Sequence, residues 1–290
     1  VSGPPPAQKE LGQRLFGEPA LYFDYLDLSD SGPVVDVKRC RYYEVASNLI
    51  RLEEETFSAI MRGRMNGLPL RDEAFLDAET AQAAAVKPFP VGCPVVLALR
   101  RGDGYQVAVH TRSHETSTFG GAKSVTPNFG LMPVVGSSDG RPVGLLYYNF
   151  LKEYLEELYG YDELNRMTLQ RRADPRWFYG IPEARMLLES PHFSLETLGM
   201  GFNALNGVLV LPMLARVDDV DVAARITGQV KVNGETGADH GDELDGGFVP
   251  VDSPRLAAWP VQRRYNPASA FGLGEALRRL DAPSGTGPVG

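Results

Sequence analysis

Cysteine is nearly absent from this chain. Cys40 and Cys93 are the only two among 290 residues. Two thiols cannot form the disulfide framework that staples small secreted domains, and neither sits at metal-type spacing with other Cys or His residues. Both are expected to be reduced, buried and structural. Long apolar runs are missing as well: no stretch approaches the ~20 residues that a membrane span needs. The opening Val1-Ser2-Gly3-Pro4-Pro5-Pro6 has neither the basic segment nor the apolar core of a signal peptide. The expected compartment is therefore the cytoplasm. Positive charge is in deficit, with 29 Lys and Arg against 37 Asp and Glu, a net charge of -8. That balance argues against a general nucleic-acid binder, which needs a basic footprint for the phosphate backbone. It permits a small anionic ligand held by local cations or through a metal.

What is present describes an ordinary globular chain, 43% hydrophobic and 23% charged, long enough for one large domain or two small ones. The 31 glycines and 22 prolines predict many turns. The ends, residues 1–6 and 281–290, are rich in Pro, Gly and Ser and read as frayed, the second as a flexible tail. Residues 7–17 carry a short helical pattern. Ala20–Leu28 reads as a strand, Val34–Ile50 as one or two more. Arg51–Arg64 fits either a strand or a helix, and Asp72–Val86 reads as a helix. Cys93–Arg100 and Tyr105–Arg112, joined by Gly102-Asp103-Gly104, make the clearest hairpin. A loop over Ser113–Asn128 and a short strand over Phe129–Val135 follow. Further on, a helix is expected at Pro182–Ser190, strands at Ser194–Leu198 and Ala204–Ala215, and a helix at Val220–Ile226. Gln229–Asn233 reads as a strand into an acidic loop at Gly234–Gly247. Phe248–Val251 is a short apolar piece and Phe271–Leu280 a last helix.

One stretch organises the functional reading: Phe150-Leu151-Lys152-Glu153-Tyr154-Leu155-Glu156-Glu157-Leu158-Tyr159-Gly160. Good helix formers end at a glycine. Phe150, Leu151, Tyr154, Leu155 and Leu158 recur at helical spacing as one apolar face. Glu153, Glu156 and Glu157 gather on another, since residues three and four apart are neighbours. Lys152 alone sits where it can offset them, facing Glu156. Crowded hard oxygen ligands suit a divalent cation such as Mg²⁺, whereas an acidic helix face is more often simply solvated.

The order of hairpin, loop, short Pro/Gly strand, turn and Lys-Glu-x-x-Glu-Glu helix resembles the Nudix family. Lys152-Glu153-Tyr154-Leu155-Glu156-Glu157-Leu158 matches the second half of that family's signature, with Lys152 in place of its Arg. Val107–Ser113 and Leu131–Gly136 are similar to its flanking strands. The first half departs from the pattern: in register, Ser138 replaces the leading glycine and Gly144 the first glutamate. The specific resemblance covers about residues 93–160.

The resemblance implies an α/β fold, a Nudix-like α/β/α sandwich around a mixed β-sheet at 91–280. Before it lies an N-terminal α+β extension at 1–90. It implies a hydrolase cleaving a nucleoside-diphosphate-linked or related pyrophosphate with Mg²⁺ or Mn²⁺. Glu153, Glu156 and Glu157 would be the metal ligands, with Glu153 and Glu157 catalytic as well. A general base would come from a later loop, where Glu235 is the first choice before Asp239, Asp242 and Glu243. Arg112 and Lys123 are candidates for phosphate contacts and Trp177 for base stacking. His110 and His114 are read as structural before ligating; His240, between Asp239 and Gly241, is the most ligand-like histidine, with no second His or Cys at metal spacing. The loss of both bracing residues supports an alternative, a catalytically degenerate Nudix-like ligand-binding or regulatory protein. The expected partner is a small phosphorylated molecule or nucleotide, with no nucleic acid and no membrane. Strands within 20–28 and 34–48 can pair across a two-fold axis, so a homodimer is compatible with the sequence.

Overall fold

A computed structural model of the chain describes residues 19–27, 34–63, 67–75, 89–112, 121–133, 145–161, 178, 180–203, 205–230, 247–259 and 265–281. The fold mixes helices and strands, and the chain divides into two compact units. The first holds residues 1–92, 130–133 and 200–210; the second holds the rest.

The first unit starts with a hairpin of β1 (Pro19–Asp27) and β2 (Val34–Arg41), paired antiparallel from Pro19 opposite Arg41 to Asp27 opposite Val34. The start of β3 (Phe89–Arg101) pairs with β1 through Phe89 and Pro90, and with β9 (Val208–Val210) through Val91 and Gly92. β8 (Gly201–Asn203) closes the row against β9. The order among the described residues is therefore β2-β1-β3-β9-β8, with β2 at one edge. Gly207, at φ +80°, lies so close to Phe89 that a Cβ would sit 2.7 Å from its ring. Only glycine suits both the backbone and the space there.

Tyr42–Met61 is a helix, α1, where the β-branched and aromatic residues of 42–50 had suggested a strand. The helical period decides. Val45, Leu49, Leu52 and Thr56 fall on one side, and all four are buried. The Glu44 carboxylate accepts the Arg41 N–H at 2.7 Å and so satisfies a donor at the helix start. The helix runs through the ambiguous 51–61. Pro69–Phe75 is α2, earlier than the expected start at Asp72. The Glu55 carboxylate of α1 accepts the N–H groups of Leu70 and Arg71 at 2.7 and 3.2 Å. An acid at a helix N-terminus is favourable on both hydrogen-bond and dipole grounds. Arg71 in turn donates to the carbonyls of Leu52 at 2.9 Å and Leu205 at 2.6 Å, and to the Thr56 hydroxyl.

In the second unit the remainder of β3 is the central strand. The order is β11 (Phe248–Pro250), β4 (Gly104–Thr111), β3, β10 (Met213–Val217), β7 (Phe193–Thr197). β10 runs parallel to β3 and the other neighbours are antiparallel. The predicted hairpin is present, turning at Gly102 with φ +57°. Val95 to Leu99 are wholly buried, so both faces of β3 are covered. On one face, Val96, Ala98, Val107 and Leu214 pack with Leu256 of α6 (Pro254–Ala258) and with Leu273 and Ala276 of α7 (Pro267–Asp281).

Other elements differ from the sequence reading. The 113–128 segment contains a strand, β5 (Lys123–Val125), against β4. Strand pairing at 129–135 is confined to β6 (Asn128–Gly130) among the described residues. The apolar run 204–215 is not one strand: Leu211-Pro212 interrupts it, leaving β9 in the first unit and β10 in the second. Gln229 ends helix α5 (Val220–Gln229) instead of starting a strand. That helix is capped by the Asp219 carboxylate, which accepts the N–H groups of Asp221 and Val222. α6 has no counterpart in the sequence reading, and α7 begins at Pro267. The helices α3 (Leu145–Tyr159) and α4 (Pro182–Leu188) stand where the sequence put them. Cys93 is buried, but Cys40 is only half-buried; its thiol points at the Ala20 carbonyl, and burial pushes it up to about 11. No helix among the described residues is long and apolar enough to cross a membrane.

Candidate functional site

The acidic helix α3 lies in the second unit with its apolar face buried as the periodicity required. Phe150 stacks on Phe193 of β7 at 6.0 Å between centroids, and Tyr154 meets Tyr159 edge-on at 5.3 Å. The carboxylates are not out in the solvent. Glu156 and Glu157 are 8% and 7% exposed, and the Glu153 side chain is little more open. The helix is therefore buried on more than its apolar stripe.

Each acid has a defined contact. The Lys152 ammonium lies between Glu153 and Glu156, 2.8 Å from a carboxylate oxygen of each. The bond to Glu156 spans one helical turn, as the sequence spacing anticipated. The bond to its neighbour Glu153 is the additional one. Burial on its own would lower the Lys152 pKa, but the charges of Glu153 and Glu156 outweigh it and hold the ammonium well above its ordinary value. Lys152 is thus a fixed cation.

Glu157 turns another way. Its Oε2 accepts from the Thr126 hydroxyl and from the Asn128 backbone N–H at 3.2 Å. Asn128 Nδ2 donates to Ser124 Oγ at 3.0 Å, and Ser124 Oγ meets Ser269 Oγ of α7 at 2.8 Å. A polar seam so runs from α3 across the β5–β6 corner to α7, with Ser124, Thr126 and Ser269 all buried. None of these partners was singled out from sequence. The sequence shows only the polar residues Ser124, Thr126 and Asn128 around Pro127; the bend at 126–127 that brings them to Glu157 is not readable from spacing.

This arrangement does not fit a divalent cation as the residues stand. The site between Glu153 and Glu156 is filled by an ammonium, and Oε2 of Glu157 accepts from Thr126 and Asn128. No group of three or more His, Cys, Asp or Glu side chains among the described residues is placed to hold a metal ion. The trio read as metal ligands is therefore brought close in the chain but divided between two different sets of contacts.

The other candidates are scattered. Arg112 directly follows β4 and shares backbone hydrogen bonds with Ala122 and Gly121. Lys123, opposite Thr111, holds its ammonium 5.0 Å from the centre of the Trp259 ring. Residues 111 and 123 share a face of the pair, and Arg112, one residue on, alternates to the other. His110 lies opposite Ser124. Its Nδ1 is sealed from solvent with no hydrogen-bond partner among the described residues, and burial, then the charge of Arg112, pushes its pKa down to about 3. It is a neutral, structural imidazole. Glu235, Asp239, His240, Asp242 and Glu243 lie outside the described residues, as do His114, Trp177, Ser138 and Gly144.

Compared with known proteins, the chain matches no family model and no curated protein.

Proposed function

We propose that the second unit is a Nudix-like binding module that recognises a small phosphorylated molecule or nucleotide without metal-dependent turnover. The observation that carries this reading is the Lys152 ammonium, 2.8 Å from both Glu153 and Glu156. A cation built into the chain takes the place between Glu153 and Glu156 that a bound metal would otherwise take, and it cannot carry a water nucleophile as a metal does. The kind of ligand rests on the resemblance and on the net negative charge, which disfavours long nucleic acid.

A thermal-shift and calorimetry screen of nucleoside diphosphates, sugar nucleotides and dinucleotides tests it. Binding of at least one member, with equal affinity in excess Mg²⁺ and in chelator, is the expected outcome. Turnover of any member that needs Mg²⁺ or Mn²⁺ and disappears in Glu157→Gln would sink it.

A second reading, a Mg²⁺-dependent pyrophosphohydrolase, keeps one observation in its favour: the acids face the interior, where a solvated acidic patch would have faced out. It requires the Lys152 head to leave both carboxylates when the metal enters. The same screen separates the two, because only the hydrolase gains from the metal.

A further inference from the structure

In the first unit, β2 has β1 on one side and, among the described residues, no strand on the other. It is eight residues long, and Val34, Asp36, Lys38 and Arg39 are exposed. A strand of that length whose outer N–H and C=O groups meet no described strand is a template for a further strand. We propose that the added strand is β2 of a second copy of this chain, in antiparallel register about a two-fold axis through Val37.

The register follows from parity and charge. In an antiparallel pair both opposed residues direct their backbone groups the same way, so identical strands pair only when the two residue numbers sum to an even value. With Val37 opposite itself, Asp36 stands opposite the second copy's Lys38, and symmetry repeats the pair. Val35 falls opposite Arg39, and Val34 opposite Cys40. Shifting the pairing one step toward the N-terminus sets Asp36 opposite Asp36. One step the other way puts Asp36 opposite Cys40 and forfeits both ion pairs. The alternating acid and base therefore select one register among the neighbours. Lys38 already contacts Asp24 at 2.7 Å on β1, so the assembled sheet carries an acid on either side of each Lys38.

Sedimentation and light scattering across a dilution series test the proposal. The parent chain is expected to be a dimer that dissociates on dilution. Lys38→Asp alone, which opposes like charges twice, should weaken association by about tenfold or more. Combining it with Asp36→Lys exchanges the signs and should restore most of it. In Val37→Cys, mild oxidation should give a covalent dimer, because opposed residues in such a pair lie within disulfide reach. That last reading does not depend on charge and is checked by circular dichroism for an intact fold. A chain that stays monomeric at all concentrations overturns the proposal and makes Lys38 a guard of the edge. A dimer indifferent to the charge exchange, with no cross-link at position 37, overturns the register and the surface together.

Discussion

Two lysines, one in each unit, hold their charge in opposite settings. In the first, the ion pair Lys38–Asp24 sits at the surface, with the lysine side chain 62% exposed. In the second, Lys152 and its two glutamates are 11–13% exposed along their side chains, and Glu157 is held by a threonine and a backbone amide. A surface pair is screened by water and worth little. A buried set is costly to assemble and costly to break, because removing one member strands the others in a poor solvent. What the difference teaches is where substitutions will be felt: the acidic helix, whose glutamates the sequence suggested as metal ligands, is part of the core.

The strongest way to break the contrast is Lys152→Met, which keeps the length and removes the charge. Two carboxylates then lose their cation, and the loss is expected to be about 3–5 kcal/mol in urea denaturation. Lys152→Arg keeps the charge and should cost clearly less, which separates charge from packing. The same Lys→Met change at Lys38 should leave the midpoint unmoved in protein dilute enough to be monomeric. If both lysine-to-methionine variants behave alike, the contrast fails.

Acid sharpens it next. The His110 imidazole takes up a proton near 6.5 in the unfolded chain but only at about 3 in the folded one. Between those values the unfolded chain holds more protons, so stability is complete above pH 6.5 and declines as the pH falls toward 3. The full loss is on the order of 5 kcal/mol. His110→Gln should flatten the pH dependence of the denaturation midpoint in that window relative to the parent. An unchanged slope would mean that the imidazole is already charged in the fold.

How much of this could be read beforehand depends on which force set each element. α3 was legible because Phe150, Tyr154, Leu155 and Leu158 repeat at helical period and Gly160, at φ +68°, stops them. The β3–β4 hairpin was legible from its glycine turn between apolar strands. The start of α1 was not, because Tyr42, Tyr43 and Val45 favour strands locally while the buried spacing of Val45, Leu49 and Leu52 favours a helix. Tertiary burial overrode propensity there. The run 204–215 misled for another reason: an apolar stretch does not say where the chain leaves one unit for the next. At the candidate site, spacing foresaw the contact of Lys152 with Glu156. It could not show that the group between the acids would be an ammonium, nor that Thr126 and Asn128, far upstream in the chain, would claim Glu157.

That last contact supplies the smallest of the expected effects and a direct check on the seam. Thr126→Val is nearly isosteric, so packing around the β5–β6 corner is preserved while one donor to Glu157 is lost. The Asn128 backbone amide remains, so the carboxylate keeps a partner. The cost is therefore that of one charge-assisted hydrogen bond, about 1–3 kcal/mol, and not that of an orphaned buried ion. The Thr126→Val substitution should also shift the Glu157 carboxylate toward its protonated form, because a donor that favours the charged state has gone. Infrared titration of the carboxyl band, with Glu157→Gln as the reference for assignment, reads this directly. A variant as stable as the parent and with the same titration would mean that Thr126 only borders Glu157, and the seam from α3 to α7 would begin at Asn128.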